Sequence, residues 1–117
     1  MADKISKIEI ITKSSKFEEL KEALNEIGIT GMTVTQVLGC GMQKGKTEYY
    51  RGNEYKIDLL PKVKVEVVVS VVPVEDVIRV TKEVLGSTEI GSGKIFVYDV
   101  ENVIRIRTGE EGCAALN

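Results

Sequence analysis

Three basic, glycine-bearing places in this chain could hold an anion. Gly39-Cys40-Gly41-Met42 runs into Gln43 and Lys44, Gly91-Ser92-Gly93 runs into Lys94, and Arg105 and Arg107 recur at alternate positions near the end. Glycine lets backbone N–H groups approach phosphate oxygens, and lysine or arginine supplies the charge. Taken singly, each has a plainer explanation, because glycines at strand ends are mostly turns and paired arginines mostly solvated. Their joint occurrence at the ends of elements is what argues for a ligand. Gly91-Ser92-Gly93-Lys94 is not a Walker A loop, since it lacks that spacing and precedes a strand instead of a helix. Catalysis has little to work with. The chain contains no histidine, so neither a Ser/His/Asp nor a Cys/His set can form, and Glu9 and Glu66 stand isolated on predicted strands.

Composition narrows the class further. With 117 residues, 43% hydrophobic and 29% charged, the chain has the make-up of one globular domain. A formal net charge of −2 argues against bulk binding of nucleic acid while leaving room for a local basic pocket. Cys40 and Cys113 form no CxxC pair and no zinc spacing, which fits two free thiols in a reducing cytoplasm. Met-Ala-Asp-Lys-Ile-Ser-Lys at the start is no secretory signal, and no apolar run approaches a membrane span.

The elements that must position these residues follow from periodicity. Ile5 to Thr12 alternates as a first strand, with Ile8 and Ile10 on one face and Glu9 and Ile11 on the other. Ser15-Lys16-Phe17-Glu18 has the capping-box pattern of a helix that carries Phe17, Leu20, Leu24 and Ile27 and stops at Gly28. Met32 to Leu38 is a second strand. Val63 to Val72 is the third, with Val63, Val65, Val67, Val69 and Val71 on one face, and Pro61 sits ahead of it, where it would interrupt no ladder. Pro73 suits the start of a second helix that ends at Gly86. Ile95 to Val100 is a fourth strand, and Val103 to Thr108 alternates so as to place Arg105 and Arg107 on one face. The tail Gly109-Glu110-Glu111-Gly112 reads as mobile.

Between the second and third strands, Gly39 to Lys62 reads as one long presented loop. From Gln43 to Lys56 it offers no apolar side chain beyond three tyrosines, Tyr49, Tyr50 and Tyr55, which flank Arg51. Long loops that persist in compact domains are usually functional, and exposed tyrosine and arginine are favoured partner anchors.

The two halves repeat. A shift of 57 positions lays Lys7-Ile8-Glu9-Ile10-Ile11 over Lys64-Val65-Glu66-Val67-Val68. Two strand-helix-strand units of this kind make an α+β, ferredoxin-like (split βαβ) fold, with four antiparallel strands and both helices on one face. The other face would carry Ile11, Val68 and either Ile95 and Val97 or Phe96 and Tyr98. That is apolar enough to predict a homo-oligomer that buries it. RNA-binding modules share this architecture but stack bases on aromatics of the central strands, and the first and third strands have none.

Ile29-Thr30-Gly31-Met32-Thr33-Val34-Thr35, Gln43-Lys44-Gly45, Thr47-Glu48, Tyr50-Arg51-Gly52, Glu54-Tyr55, Leu60-Pro61-Lys62-Val63-Lys64, Gly93-Lys94-Ile95-Phe96-Val97 and the run from Val103 to Glu111 resemble the nitrogen regulatory PII signal-transduction family. The resemblance extends from about Ile8 to Ala115 in order. It implies a single PII-like domain over residues 1–117 that forms a homotrimer, with a T-loop at about 41–58, a B-loop at about 86–94 and a C-loop at about 106–113. ATP and ADP would compete for clefts between subunits. Ile11, Thr33 and Val68 would border the adenine, Gly41, Met42 and Gln43 would line the site from the T-loop base, and Gly91, Ser92, Gly93, Lys94, Arg105 and Arg107 would hold the phosphates. 2-Oxoglutarate would bind beside MgATP, with Gln43 a ligand to Mg²⁺ and to 2-oxoglutarate and Lys62 pairing with a carboxylate. The resemblance further implies a non-enzymatic regulator of an ammonium transporter or of nitrogen-assimilation enzymes and regulators. Such a protein is cytoplasmic and can be recruited to the inner face of the membrane through the channel, which Arg51 would plug. Tyr55 would be the target of a uridylyltransferase. The alternatives are a trimeric scaffold whose loop binds a partner without ligand control, or an adenylate-only sensor. Met42 stands where many members have a phosphate-contacting arginine, and Cys40 where an aromatic packs near the base. Ser14-Ser15 replaces a common Pro-Phe and Glu89 a common lysine, and Asn53 removes a phosphorylatable serine found in some relatives.

Overall fold

The computed structural model describes residues 4–42, 57–86 and 92–116. Their elements are β1 (Ser6–Lys13), a short 3-10 turn (Ser14–Lys16), α1 (Phe17–Glu26), β2 (Thr33–Met42), β3 (Ile57–Val69), α2 (Val74–Leu85), β4 (Lys94–Asp99) and a C-terminal 3-10 turn (Gly112–Ala115). The strands lie in the order β2-β3-β1-β4, and each neighbouring pair is antiparallel. This is the ferredoxin-like α+β arrangement expected from the repeat.

Period-two alternation builds the core. Ile8 and Ile10 of β1 and Val63, Val65, Val67 and Val69 of β3 are buried against Leu20 and Leu24 of α1 and Val77 and Val80 of α2. The 57-residue shift has a spatial counterpart in the central pair, where Ile8 faces Val67, Glu9 faces Glu66 and Ile10 faces Val65.

The helix ends are built by different means. α1 closes with Gly28 at φ 99, whose N–H donates to the Asn25 carbonyl at 3.0 Å while that of Ile29 donates to Leu24 at 3.1 Å. That is a Schellman closure, which needs the left-handed backbone glycine tolerates. The expected capping box does not form. Ser14–Lys16 is already helical in the 3-10 sense, so Lys16 caps α1 with no side-chain bond; a capping serine needs an extended backbone, which Ser15 lacks. Glu18 and Glu19 instead place negative charge in the first turn, where the helix dipole favours it.

Three other expectations are corrected. The stretch from Gly39 to Lys62 is not loop throughout. β2 and β3 continue as a two-stranded ribbon with Gly39 opposite Leu60, Cys40 opposite Leu59, Gly41 opposite Asp58 and Met42 opposite Ile57. Apolar alternation reports burial, whereas a ladder needs only backbone partners, and this ribbon projects beyond the last β1 pair, Lys13 with Lys62. Pro61 therefore lies inside β3, opposite Leu38, where β1 has already ended. Secondly, Val103 to Thr108 is a turn-bearing segment with one isolated bridge, Ile104 to Glu111, and Ile106 is fully exposed. Thirdly, residues 109–112 are held: Gly109 N–H donates to Arg105 O at 2.7 Å and Gly112 N–H to Val103 O at 2.9 Å.

The uncovered sheet face carries Phe96 and Tyr98, because Phe96 pairs with Glu9 and Tyr98 with Lys7, while Ile95 packs against the core. It is less apolar than expected. Lys7 Nζ lies 3.2 Å from Glu66 Oε2 and 4.7 Å from the Tyr98 ring centre, and the Tyr98 hydroxyl donates to Glu9 at 3.4 Å. The hydrogen bond to Glu66 raises the Lys7 ammonium above its usual pKa of 10.5, against an opposing desolvation. Among the described residues no helix is long and apolar enough to cross a membrane.

Candidate functional site

β1 and β4 bring one anion-binding place together with the base of the β2–β3 ribbon. Ile11 pairs with Lys94 across β1–β4, and Lys62 ends the β1–β3 ladder beside them. Ile11, Gly39, Cys40, Lys62, Ser92, Gly93, Lys94 and Phe96 line an open cleft of about 360 Å³. Among the described residues this lining brings two ammonium groups together, so the cleft favours an anion.

Its backbone is shaped for close approach. Gly93 has φ 127, and a Cβ there would lie 2.2 Å from the Ile11 carbonyl oxygen. Only glycine lets the chain pass so near β1 and still deliver Lys94. The buried Thr12 hydroxyl donates to the Ser92 carbonyl at 2.7 Å, fixing the approach from the other side. On the ribbon, a Cβ at Gly39 would meet Lys62 Cε at 2.9 Å; the lysine methylenes lie across the glycine.

Thr33 and Val68 are elsewhere. They line a second cleft of about 660 Å³ together with Gly31, Met32, Glu66, Val72 and Leu116. Lys62 and Val68 are six residues apart on β3, roughly 20 Å at strand rise. Ile11 faces Lys64, four residues and roughly 13 Å along β3 from Val68, so within one chain Ile11 and Val68 do not meet. Arg105 belongs to a third place. Its Nη1 lies 2.6 Å from Glu110 Oε1, and its Nη2 donates to the Ala115 carbonyl at 3.2 Å. Arg107 is exposed on the same turn, so the two arginines do not share a strand face. Gly41 and Met42 close β2. Gln43, Arg51, Tyr55 and Gly91 lie outside the described residues, as does most of the loop that carries them.

Some contributors escaped sequence reasoning. Thr12 reads as an ordinary strand residue, and its hydroxyl becomes informative only once Ser92 is beside it. Glu110, five residues after Arg105 across a Thr-Gly turn, likewise gains its role only from the guanidinium that stands opposite it.

A family model for nitrogen regulatory protein P-II matches residues 5–110. The chain belongs to the P-II family. The Pasteurella multocida nitrogen regulatory protein P-II is 57% identical over 107 residues, covering 92% of this chain and 96% of that protein. Escherichia coli nitrogen regulatory protein P-II 1 is 54% identical, covering 96% of this chain and all of that protein. The solved B. subtilis GlnK-ATP complex superposes with a TM-score of 0.82 at 43% identity and covers 98% of both chains. The P-II relationship thus spans all three places described above, and one structural relative was solved with ATP.

Proposed function

We propose that this P-II chain is a non-enzymatic signal-transduction protein that senses ATP or ADP together with 2-oxoglutarate and passes the signal to partner proteins through the loop beyond the β2–β3 ribbon. The observation that carries the reading is the cleft that brings Lys62 and Lys94 together over the glycine-tight backbone at Gly93, supported by the ATP complex of a relative that covers nearly the whole fold. Lys94 and the Ser92–Gly93 backbone contact phosphates there. Thr33 and Val68 border the adenine from the second cleft.

Because these two half-sites are separate on one chain, a nucleotide that touches both lies between copies. A homotrimer supplies this: one subunit gives the lysine cleft and its neighbour the Thr33–Val68 cleft. Arg105 and Arg107 reach the phosphates from the C-terminal turn, and Gly41, Met42, Gln43 and Gly91 complete the lining. Among the described residues no group of three or more acidic or thiol side chains could cage a metal. A magnesium ion that arrives on the nucleotide's phosphates keeps most of its waters and needs few protein ligands, and Gln43 would be one. Bound there, the ion would add charge for a 2-oxoglutarate carboxylate, whose other end pairs with Lys62.

Regulation is a population shift. Each ligand set contacts the base of the ribbon differently, so it stabilises a different loop conformation, and a partner binds one of them. The partners are an ammonium transporter, with Arg51 entering the channel at the inner membrane face, or nitrogen-assimilation proteins, and Tyr55 is the position for uridylylation.

Calorimetric titration tests this directly. ATP is expected to bind, and 2-oxoglutarate to bind only when MgATP is present. ATP binding with no 2-oxoglutarate response leaves an adenylate sensor, with Met42 and Cys40 the first residues to exchange. If neither ligand binds, the chain is a scaffold and the sensor reading fails.

A further inference from the structure

We propose that Glu110 is a positioning residue for Arg105, holding its guanidinium in the orientation in which the C-terminal turn presents it to a nucleotide phosphate; the proposal rests on the nucleotide reading above. Arginine has five donors on a planar fork and considerable rotamer freedom, so how it is held decides which donors are aimed at a ligand. Here the fork is gripped from two sides. Glu110 Oε1 accepts from Nη1 at 2.6 Å, while the carbonyls of Ala115 and Ala114, at the end of the last 3-10 turn, accept from Nη2 at 3.2 and 3.4 Å.

Glu110 is itself fixed. Its Oε1 also accepts from the Thr108 hydroxyl at 2.9 Å, its N–H donates to that hydroxyl at 3.2 Å, and its carbonyl accepts from the Arg105 N–H at 2.8 Å. Backbone and side chain of residues 105 and 110 are therefore paired at the same time, and Thr108 closes the ring across the turn. The Arg105 side chain is 29% exposed. The carbonyls it holds adjoin Leu116, a wall residue of the cleft that contains Thr33 and Val68. One side chain thus links the phosphate end of the proposed site to the wall of its adenine end.

A carboxylate so close could instead act as a competitor that neutralises Arg105. The two roles predict opposite signs. ATP is titrated calorimetrically into the wild-type protein, Glu110→Ala, Glu110→Gln, Arg105→Ala and the double variant Arg105→Ala/Glu110→Ala, with thermal unfolding recorded for each. Positioning predicts that Glu110→Ala weakens ATP binding about tenfold, within the range for residues coupled in one network. It also predicts that Glu110→Gln, which keeps an acceptor oxygen, restores most of the affinity, and that Glu110→Ala adds nothing once Arg105 is alanine. Tighter binding by Glu110→Ala overturns the proposal, as does an equal loss in the Arg105→Ala background. Should Glu110→Ala not fold, Glu110→Asp, which withdraws the carboxylate by one methylene, takes its place in the cycle with the same expected direction. A ligand-free readout separates this proposal from the reading beneath it. Hydrogen exchange of the Arg105 guanidinium, followed by NMR, is expected to be slow in the wild type and fast in the alanine variant. Fast exchange in the wild type overturns the role of Glu110 whether or not ATP binds, whereas slow exchange without ATP binding overturns the nucleotide role alone.

Discussion

At Gly93 a single missing methyl group lets the chain pass close against β1. A Cβ would fall 2.2 Å from the Ile11 carbonyl oxygen, on a backbone with φ 127, so Gly93→Ala must displace β4 from β1 or strain the chain by about 1–3 kcal/mol. We expect a comparable loss of unfolding free energy in urea, together with weaker ATP binding, because the same movement carries Lys94 away from Lys62. Unchanged stability and affinity would show that the close approach is dispensable. The Lys7–Glu66 pair makes a prediction about pH. Since Glu66 holds the Lys7 ammonium above 10.5, the folded state binds that proton more tightly than the unfolded chain. The pair's stabilisation is complete below pH 10.5 and lost as pH rises through the raised value. Comparing thermal midpoints of wild type and Glu66→Gln at pH 7 and pH 11 checks this, the gap narrowing at the alkaline end; a gap of constant size would show that the pair does not contribute. Lysine and glycine types pointed to the anion-binding place from sequence, because charge and backbone permissiveness are properties of the residue itself. Thr12 and Glu110 were not legible as contributors, since a hydroxyl or carboxylate gains its role from what stands opposite.

Elements were recovered where apolar periodicity is strong and misjudged where the ladder outruns the core. Leu24 illustrates the first case: it is fully buried between α1 and the sheet, and Leu24→Ala should cost about 3 kcal/mol, of the size seen for buried leucines elsewhere. Chemical denaturation reads that directly, and a loss below about 1 kcal/mol would mean that the site collapses around the gap. The ribbon formed by Gly39–Met42 and Ile57–Lys62 illustrates the second case. Leu38, Leu59 and Leu60 are substantially exposed, so burial does not mark these strands, whereas the backbone pairing runs on to Met42 opposite Ile57. The segment from Val103 to Thr108 failed in the opposite direction. It alternates like a strand, yet Asn102 Oδ1 accepts from the N–H groups of Val103 and Gly112 and closes the chain on itself before a ladder can extend.

At the scale of the whole molecule, the geometry bears on assembly. Thr33 and Val68 sit in one cleft and Lys62 and Lys94 in another, so a site that uses both requires a second copy. Light scattering coupled to size-exclusion chromatography should give three times the 12.9 kDa chain mass. A monodisperse monomer that still binds ATP would overturn the shared-site arrangement. The uncovered sheet face, with Lys7, Glu9 and Glu66 among Val68, Phe96 and Tyr98, would face neighbouring subunits through paired charges as well as apolar contact. Sequence alone determined the elements of the core, the repeat of two strand-helix-strand units and the family, because alternation, turn chemistry and ordered motifs are properties of the chain read locally. Tertiary structure decided which residues share a cleft, which sheet face lies open and which carboxylate holds Arg105, because strand order and register bring together groups whose separation along the chain carries no record of their distance in space.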